Sequence, residues 1–141
     1  MKKQTNDNSS KDVATPKPEG HFTTASTHYV NRLKSIERIL TGSKNLDHLL
    51  CGGVETNAVT QFYGAPSSGK TQICHTLCAR VPQDKSKGGV RGKSIYIDTE
   101  GTFRPERIAS IAMARGFDSD MTLDNVILAE AADSAQQEGI V

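Results

Sequence analysis

No unbroken apolar run in this chain is long enough to cross a bilayer, which excludes a membrane-spanning helix. No charge sign dominates either: 17 Lys and Arg stand against 16 Asp and Glu. The resulting net charge of +1 excludes the global basic field that would announce nucleic-acid binding. The start, Met1-Lys2-Lys3-Gln4-Thr5-Asn6-Asp7, is basic but has no apolar stretch behind it, so it is not a secretory signal. The default expectation is therefore a soluble, cytoplasmic protein. Cysteine is scarce, and three of them, an odd number, give no disulfide framework. Cys74 and Cys78 share a helix face but lack two further ligands for a metal, and they read as reduced, small apolar residues. Residues 1–20 have almost nothing apolar. Burial there cannot offset the ordering entropy, and a disordered polar tail is expected.

Against these absences one stretch stands out, Gly64-Ala65-Pro66-Ser67-Ser68-Gly69-Lys70-Thr71. Two glycines four residues apart, followed by Lys and Thr, form the phosphate-cradling pattern. Glycine lets successive backbone N–H groups turn inward around a phosphate, where a Cβ would obstruct them. The residues that follow open a helix whose unpaired N–H groups favour negative charge. Lys70 brings a point charge to the β- and γ-phosphates, and the Thr71 hydroxyl can ligate Mg²⁺. The context fits: residues 58–63, Ala-Val-Thr-Gln-Phe-Tyr, read as a strand into the loop. Residues 70–81 read as a helix with Ile73, Leu77 and Val81 inward.

Around this unit the chain reads as alternating strands and helices. Residues 26–41 predict a helix that gives way to a short extended segment. Ser43 caps a brief helix over 44–50 with Leu46, Leu49 and Leu50 buried, ended by Gly52-Gly53. Residues 82–93 form a basic, glycine-rich loop, solvated in the simplest reading but able to touch a phosphate backbone. Residues 94–98 predict a second strand, parallel to the first. Ligands of open α/β sheets bind at the carboxyl ends of the strands, so Asp98 and Glu100 should face the phosphate site. Glu100 is the better candidate to activate water, whereas Asp98 can hold the loop by hydrogen bonds. Pro105 opens a helix to Arg115 with Ile108, Ile111 and Ala112 inward, and Gly116 closes it. Arg104 and Arg107, in or beside its first turn, can stack on a base, meet a phosphate, or form structural ion pairs. Residues 125–131 predict a third strand covered on both faces, and Asp133 or Ser134 caps a further helix.

Hydrolases with this loop carry a second apolar strand ending in an Mg²⁺-binding Asp, and none follows the third strand here. Three strands also leave apolar surface uncovered, so the chain reads as the front part of a larger domain. Phe22-Thr23-Thr24-Ala25 is a β-leaning stretch. Its ring serves either to tack a linker onto its own domain, the reading the residues favour, or as a docking plug for a partner.

From His21 to Val141 the chain resembles the RadA-type, archaeal and eukaryotic branch of the RecA-like recombinases. The resemblance rests on Phe22-Thr23-Thr24-Ala25, Leu40-Thr41-Gly42-Ser43-Lys44, Gly52-Gly53-Val54-Glu55-Thr56, Gly69-Lys70-Thr71-Gln72-Ile73-Cys74-His75 and Tyr96 through Arg107, the most specific string. It implies an α/β, RecA-like P-loop core with a parallel sheet flanked by helices. The expected organisation is a tail over 1–20, a linker with a polymerisation motif over 21–41, and the front portion of the ATPase core over 42–141. The implied activity is ATP-dependent, with Mg²⁺: assembly on single-stranded DNA, pairing with double-stranded DNA and strand exchange in repair, nucleoid-associated in a prokaryote. By resemblance, Gly64, Ala65, Pro66, Ser67, Ser68, Gly69, Lys70 and Thr71 hold the triphosphate and Mg²⁺, and Glu100 activates water. Arg104 and Arg107 resemble residues beside the adenine. Phe22 and Ala25 resemble the motif by which one protomer's linker adds to a neighbour's sheet edge, which reverses the reading of Phe22. A preceding helical DNA-binding domain, the second Asp strand and the DNA-binding loops of that family have no counterpart in these residues. Two rivals remain: another RecA-like ATPase, or a non-catalytic module that binds nucleotide and docks on filaments.

Overall fold

The structure, a computed structural model, describes residues 22–140. The expected disordered tail therefore lies outside the described residues. Two units divide the chain after Leu33. In the first, residues 22–24 form no helix or strand and helix α1 (Ala25–Ser35) begins at Ala25. Thr24 starts it: its hydroxyl accepts from the Thr27 N–H at 3.2 Å. The β-leaning stretch Phe22 to Ala25 thus forms no strand, and Ala25 is helical.

The second unit opens with a two-stranded antiparallel ribbon, β1 (Arg38–Ile39) and β2 (Val54–Glu55), with Arg38 opposite Glu55 and Ile39 opposite Val54. Between them lies α2 (Lys44–Leu49), capped by Ser43, whose Oγ accepts from the Leu46 N–H. The burial expected of Leu46, Leu49 and Leu50 does not occur. Leu49 is exposed and α2 has no buried residue. A polar clasp anchors it instead: Asp47 Oδ1 accepts from both the N–H and the hydroxyl of Thr41, each at 2.7 Å.

Helix α3 (Lys70–Arg80) follows the glycine loop. Its buried face is His75, Cys78 and Ala79, not Ile73, Leu77 and Val81, which stay half-buried. The reason is what packs there: Cys78 and Ala79 meet Ile108 and Ile111 of α4 (Pro105–Ala114), with Tyr96, Phe103, Leu123 and Val126 around them. As expected, Ile108, Ile111 and Ala112 face inward, and Gly116 follows the helix in the left-handed region at φ 69°. A short α5 (Ser119–Asp124), which periodicity did not reveal, is capped by Asp118. It is tied to the loop after α3 by Gln83, whose Nε2 donates to Thr122 Oγ1 at 3.1 Å.

The basic loop over 82–93 is ordered by its own backbone. It contains a 3₁₀ turn at Lys85–Lys87, and N–H groups of Gly89, Val90, Arg91 and Gly92 bond back to Asp84, Val81 and Gln83. Two of its charges are paired, Lys85 with Glu37 and Arg91 with Asp84.

The parallel pair is β3 (Ser94–Asp98) with β4 (Val126–Glu130), in register from Ser94 opposite Val126 to Asp98 opposite Glu130. The right pairing partner of β3 is thus the third predicted strand, not the first. Residues 58–63 form no strand: Val59 is 99% and Tyr63 91% exposed, and among the described residues no backbone hydrogen bond reaches this stretch. β-branched and aromatic composition favours a strand only when a neighbour supplies the ladder. For the same reason β4 is not covered on both faces, and Ile127 and Leu128 are exposed. Helix α6 (Ser134–Ile140) starts as expected at Asp133, whose Oδ1 accepts from the Gln136 N–H at 2.8 Å.

Candidate nucleotide site

The glycine loop delivers its residues to the start of α3. Gly69 is the N-cap residue at φ 93°, ψ 9°, and makes no side-chain cap. An added Cβ at Gly69 would meet nothing within 4 Å, so the left-handed backbone, not space, requires glycine here. Ser67 adopts a φ of 60°, which non-glycine residues do at a cost of about 1 kcal/mol or more. The first N–H groups of α3 are left facing a cleft of about 210 Å³ lined by Ser67, Ser68, Gly69, Lys70, Thr71 and Gln72. Lys70 folds back over the loop, donating from Nζ to the carbonyls of Gly64 and Ala65 at 2.9 and 3.0 Å. Its charge is therefore held at the cradle. Glycine hinges, an 11-residue helix with an uncapped N-terminus and a fixed ammonium fit a polyphosphate.

The second half of the site is the loop after β3. Asp98 is buried at the strand end and acts as its clamp: Oδ2 accepts from the Phe103 N–H at 2.8 Å and Oδ1 from the Glu100 N–H at 3.1 Å. The Phe103 N–H bond, chiefly, holds this carboxyl below its usual range, against the opposing effect of its burial. Asp98 thus shapes the turn that presents Glu100, the division of labour the sequence suggests. Glu100 is exposed, and among the described residues no hydrogen bond joins its side chain to Lys70 or Thr71.

Rings fasten this loop to α3. His75, one helical turn beyond Thr71, lies 5.4 Å from Tyr96 and 5.9 Å from Phe103 between centroids, and Tyr96 and Phe103 are 4.9 Å apart. Both nitrogens of His75 are buried without a partner. Burial first, then the Arg107 charge, lowers its pKa, with Asp98 pulling the other way.

Arg107, in the first turn of α4, donates from Nε to Gln72 Oε1 at 2.7 Å, which brings it beside the phosphate loop. Arg104 turns instead to its own loop, donating to the Phe103 and Gly101 carbonyls at 2.6 and 3.4 Å. Gln72 was not singled out from sequence. Its partner lies 35 residues on, a separation no local pattern encodes. Phe22 and Ala25 belong to the first unit, where Phe22 is 94% exposed. Cys78 is buried and its thiol is pushed up by that burial, as a small apolar residue should be; Cys74 is exposed but free. Among the described residues no three metal-binding side chains cluster.

The stretch that holds this loop, the Thr-Glu-Gly turn and the arginine-bearing helix falls within a match to a known family model. The Rad51 model covers residues 32–141. The chain belongs to the Rad51 family. Its fold is accordingly a RecA-like α/β core of helices and parallel strands. Among named relatives in this family, the chain is 48% identical over 116 residues to a protein of Cenarchaeum symbiosum called DNA repair and recombination protein RadA. That match takes in 82% of this chain and 29% of the relative. It is 49% identical over 107 residues to the protein of the same name from Aeropyrum pernix, 76% of this chain and 34% of that one. The chain thus spans about a third of the length of these relatives. Among the described residues no helix is long and apolar enough to cross a membrane.

Proposed function

We propose that this chain is a cytoplasmic, ATP-binding component of DNA recombination and repair. It holds ATP with Mg²⁺ at Gly64 to Thr71, in a protein that assembles on single-stranded DNA and exchanges strands with double-stranded DNA. The observation that carries the reading is the uncapped start of α3 with Lys70 fixed at the loop. Backbone N–H groups of the loop and α3 receive phosphate oxygens, and Lys70 exchanges its two carbonyl partners for the β- and γ-oxygens. Mg²⁺ would be held with the nucleotide through the Thr71 hydroxyl. Bound Mg²⁺ supplies charge neutralisation at the phosphates. Glu100, exposed on a turn that Asp98 keeps rigid, orients the attacking water. Arg107, positioned by Gln72, and Arg104 border the base. The relatives' name supports the recombination context.

Calorimetric titration with Mg·ATP tests the reading. Lys70→Ala weakens binding by tenfold or more, the worth of about one charge-assisted contact, while Glu100→Gln leaves it within threefold. Equal affinity in the Lys70→Ala chain would overturn it. A second reading, a module that binds nucleotide and docks on filaments through Phe22 and Ala25, is favoured by the exposure of Phe22. Because Ala25 starts α1, strand addition through it requires the first helical turn to open. Docking without turnover, lost in Phe22→Ala, would select that reading.

A further inference from the structure

At the far end of α3 lies a second cationic feature that the nucleotide site does not use. A cleft of about 340 Å³ is lined by Leu40, Arg80, Ser86, Lys87, Arg115 and Phe117. Arg80 closes α3 and Lys70 opens it; 11 residues at 1.5 Å each separate the two by roughly 15 Å. Three cations line this one cleft, two of them over its ring. Arg80 Cζ is 5.5 Å and Lys87 Nζ 5.9 Å from the centroid of Phe117, which is itself buried. The Arg115 guanidinium lies against Gly42, so closely that a Cβ there would sit 2.2 Å from Nη1.

No ion pair engages them. Among the described residues no carboxylate lies within ion-pair distance of Arg80, Lys87 or Arg115, although Lys85 and Arg91 of the same loop are paired. Arg80 is only 8% exposed; its Nη1 donates to the Lys87 carbonyl at 2.5 Å, and its buried Nε has no partner. Burial first, then the Arg115 charge, pulls the Arg80 pKa down, and the Asp47 carboxylate offsets this only in part. Holding a buried guanidinium beside two further cations is unfavourable unless an anion completes the set.

We propose that Arg80, Lys87 and Arg115 form a phosphoryl-binding site, separate from the nucleotide loop. Two arginine forks and a lysine match the oxygens of a phosphate group better than a single carboxylate. The phosphoryl group belongs either to a free phosphate species or to a nucleic-acid backbone, and the two are separable by experiment.

Substitutions at the exposed rim keep the fold, so the test uses Lys87→Gln and Arg115→Gln together in the Lys70→Ala chain, where the loop at 64–71 no longer contributes. Titration with inorganic phosphate, followed by amide NMR, should shift Gly42, Lys87 and Phe117 in the Lys70→Ala chain. The double variant should weaken that response about tenfold. Lys93→Gln, which removes an equal charge outside the cleft, should not. Anisotropy of a fluorescent single-stranded oligonucleotide forms the second arm. A parallel loss there, with a salt slope smaller by about 1.4, assigns the phosphate to a nucleic-acid backbone. Loss with inorganic phosphate alone assigns a free phosphate. Phosphate affinity unchanged in the double variant, or weakened equally by Lys93→Gln, overturns the site.

Discussion

Two buried side chains, Asp98 and His75, couple the site to pH, and in both cases the sign follows from which form the fold prefers. Asp98 is held below its ordinary value of 3.8 by backbone N–H groups, Phe103 first. Its stabilisation is complete above that value and is lost as pH falls through the lower folded-state value. His75 is kept neutral by burial and Arg107, below its ordinary 6.5. The unfolded chain takes up the proton more readily, so stability is full above about 6.5 and declines as pH falls below it. Urea midpoints measured from neutral to acid pH should therefore drop in two phases. His75→Leu should remove the first and Asp98→Asn the second. A flat profile down to pH 4 would contradict the His75 assignment. From sequence, the clamp role of Asp98 was legible because a carboxylate at a strand end meets turn N–H groups. The ring stack of His75 was not, because it joins α3 to β3 and the loop after it, a segment distant in sequence.

At the level of elements, packing decided what periodicity left open. Helix α4 was legible from Pro105, Gly116 and the spacing of Ile108, Ile111 and Ala112, and those residues are the buried ones. Helix α3 was correctly placed, but its inward face was misread. Its sequence is apolar on more than one side, and the face that α4 covers is His75, Cys78 and Ala79. The clearest consequence is energetic: Ile108→Ala, at a fully buried position, should cost about 2–5 kcal/mol in chemical denaturation. Leu49→Ala, at a leucine that α2 leaves exposed, should stay within about 0.5 kcal/mol. Equal costs would mean that the core is not centred on α3 and α4. The ribbon offers a second check. Gly53 has a φ of 121°, and a Cβ there would lie 2.4 Å from the Ile39 carbonyl oxygen. Gly53→Ala should therefore separate β1 from β2, lowering the midpoint while leaving phosphate-loop amide shifts in place.

Across the whole molecule, the glycine loop and the helix it opens were legible and the sheet was not. The pattern from Gly64 to Thr71 carries its geometry in its residue types, because glycine conformations and a helix start are local properties. A strand is not local. Residues 58–63 have the composition of one, yet without a neighbour they leave Val59 and Tyr63 in solvent. The family model matches residues 32–141, a range that includes the loop, the Glu100 turn and α4. The central claim is that these parts act together as one nucleotide site. Amide NMR of the full chain titrated with Mg·ATP tests this most directly. The account predicts shifts at Ser67 through Gln72 and again at Gly101 through Arg107, all needing tenfold or more nucleotide in the Lys70→Ala chain. Shifts absent from the loop, or unmoved in their midpoint by that substitution, would contradict it.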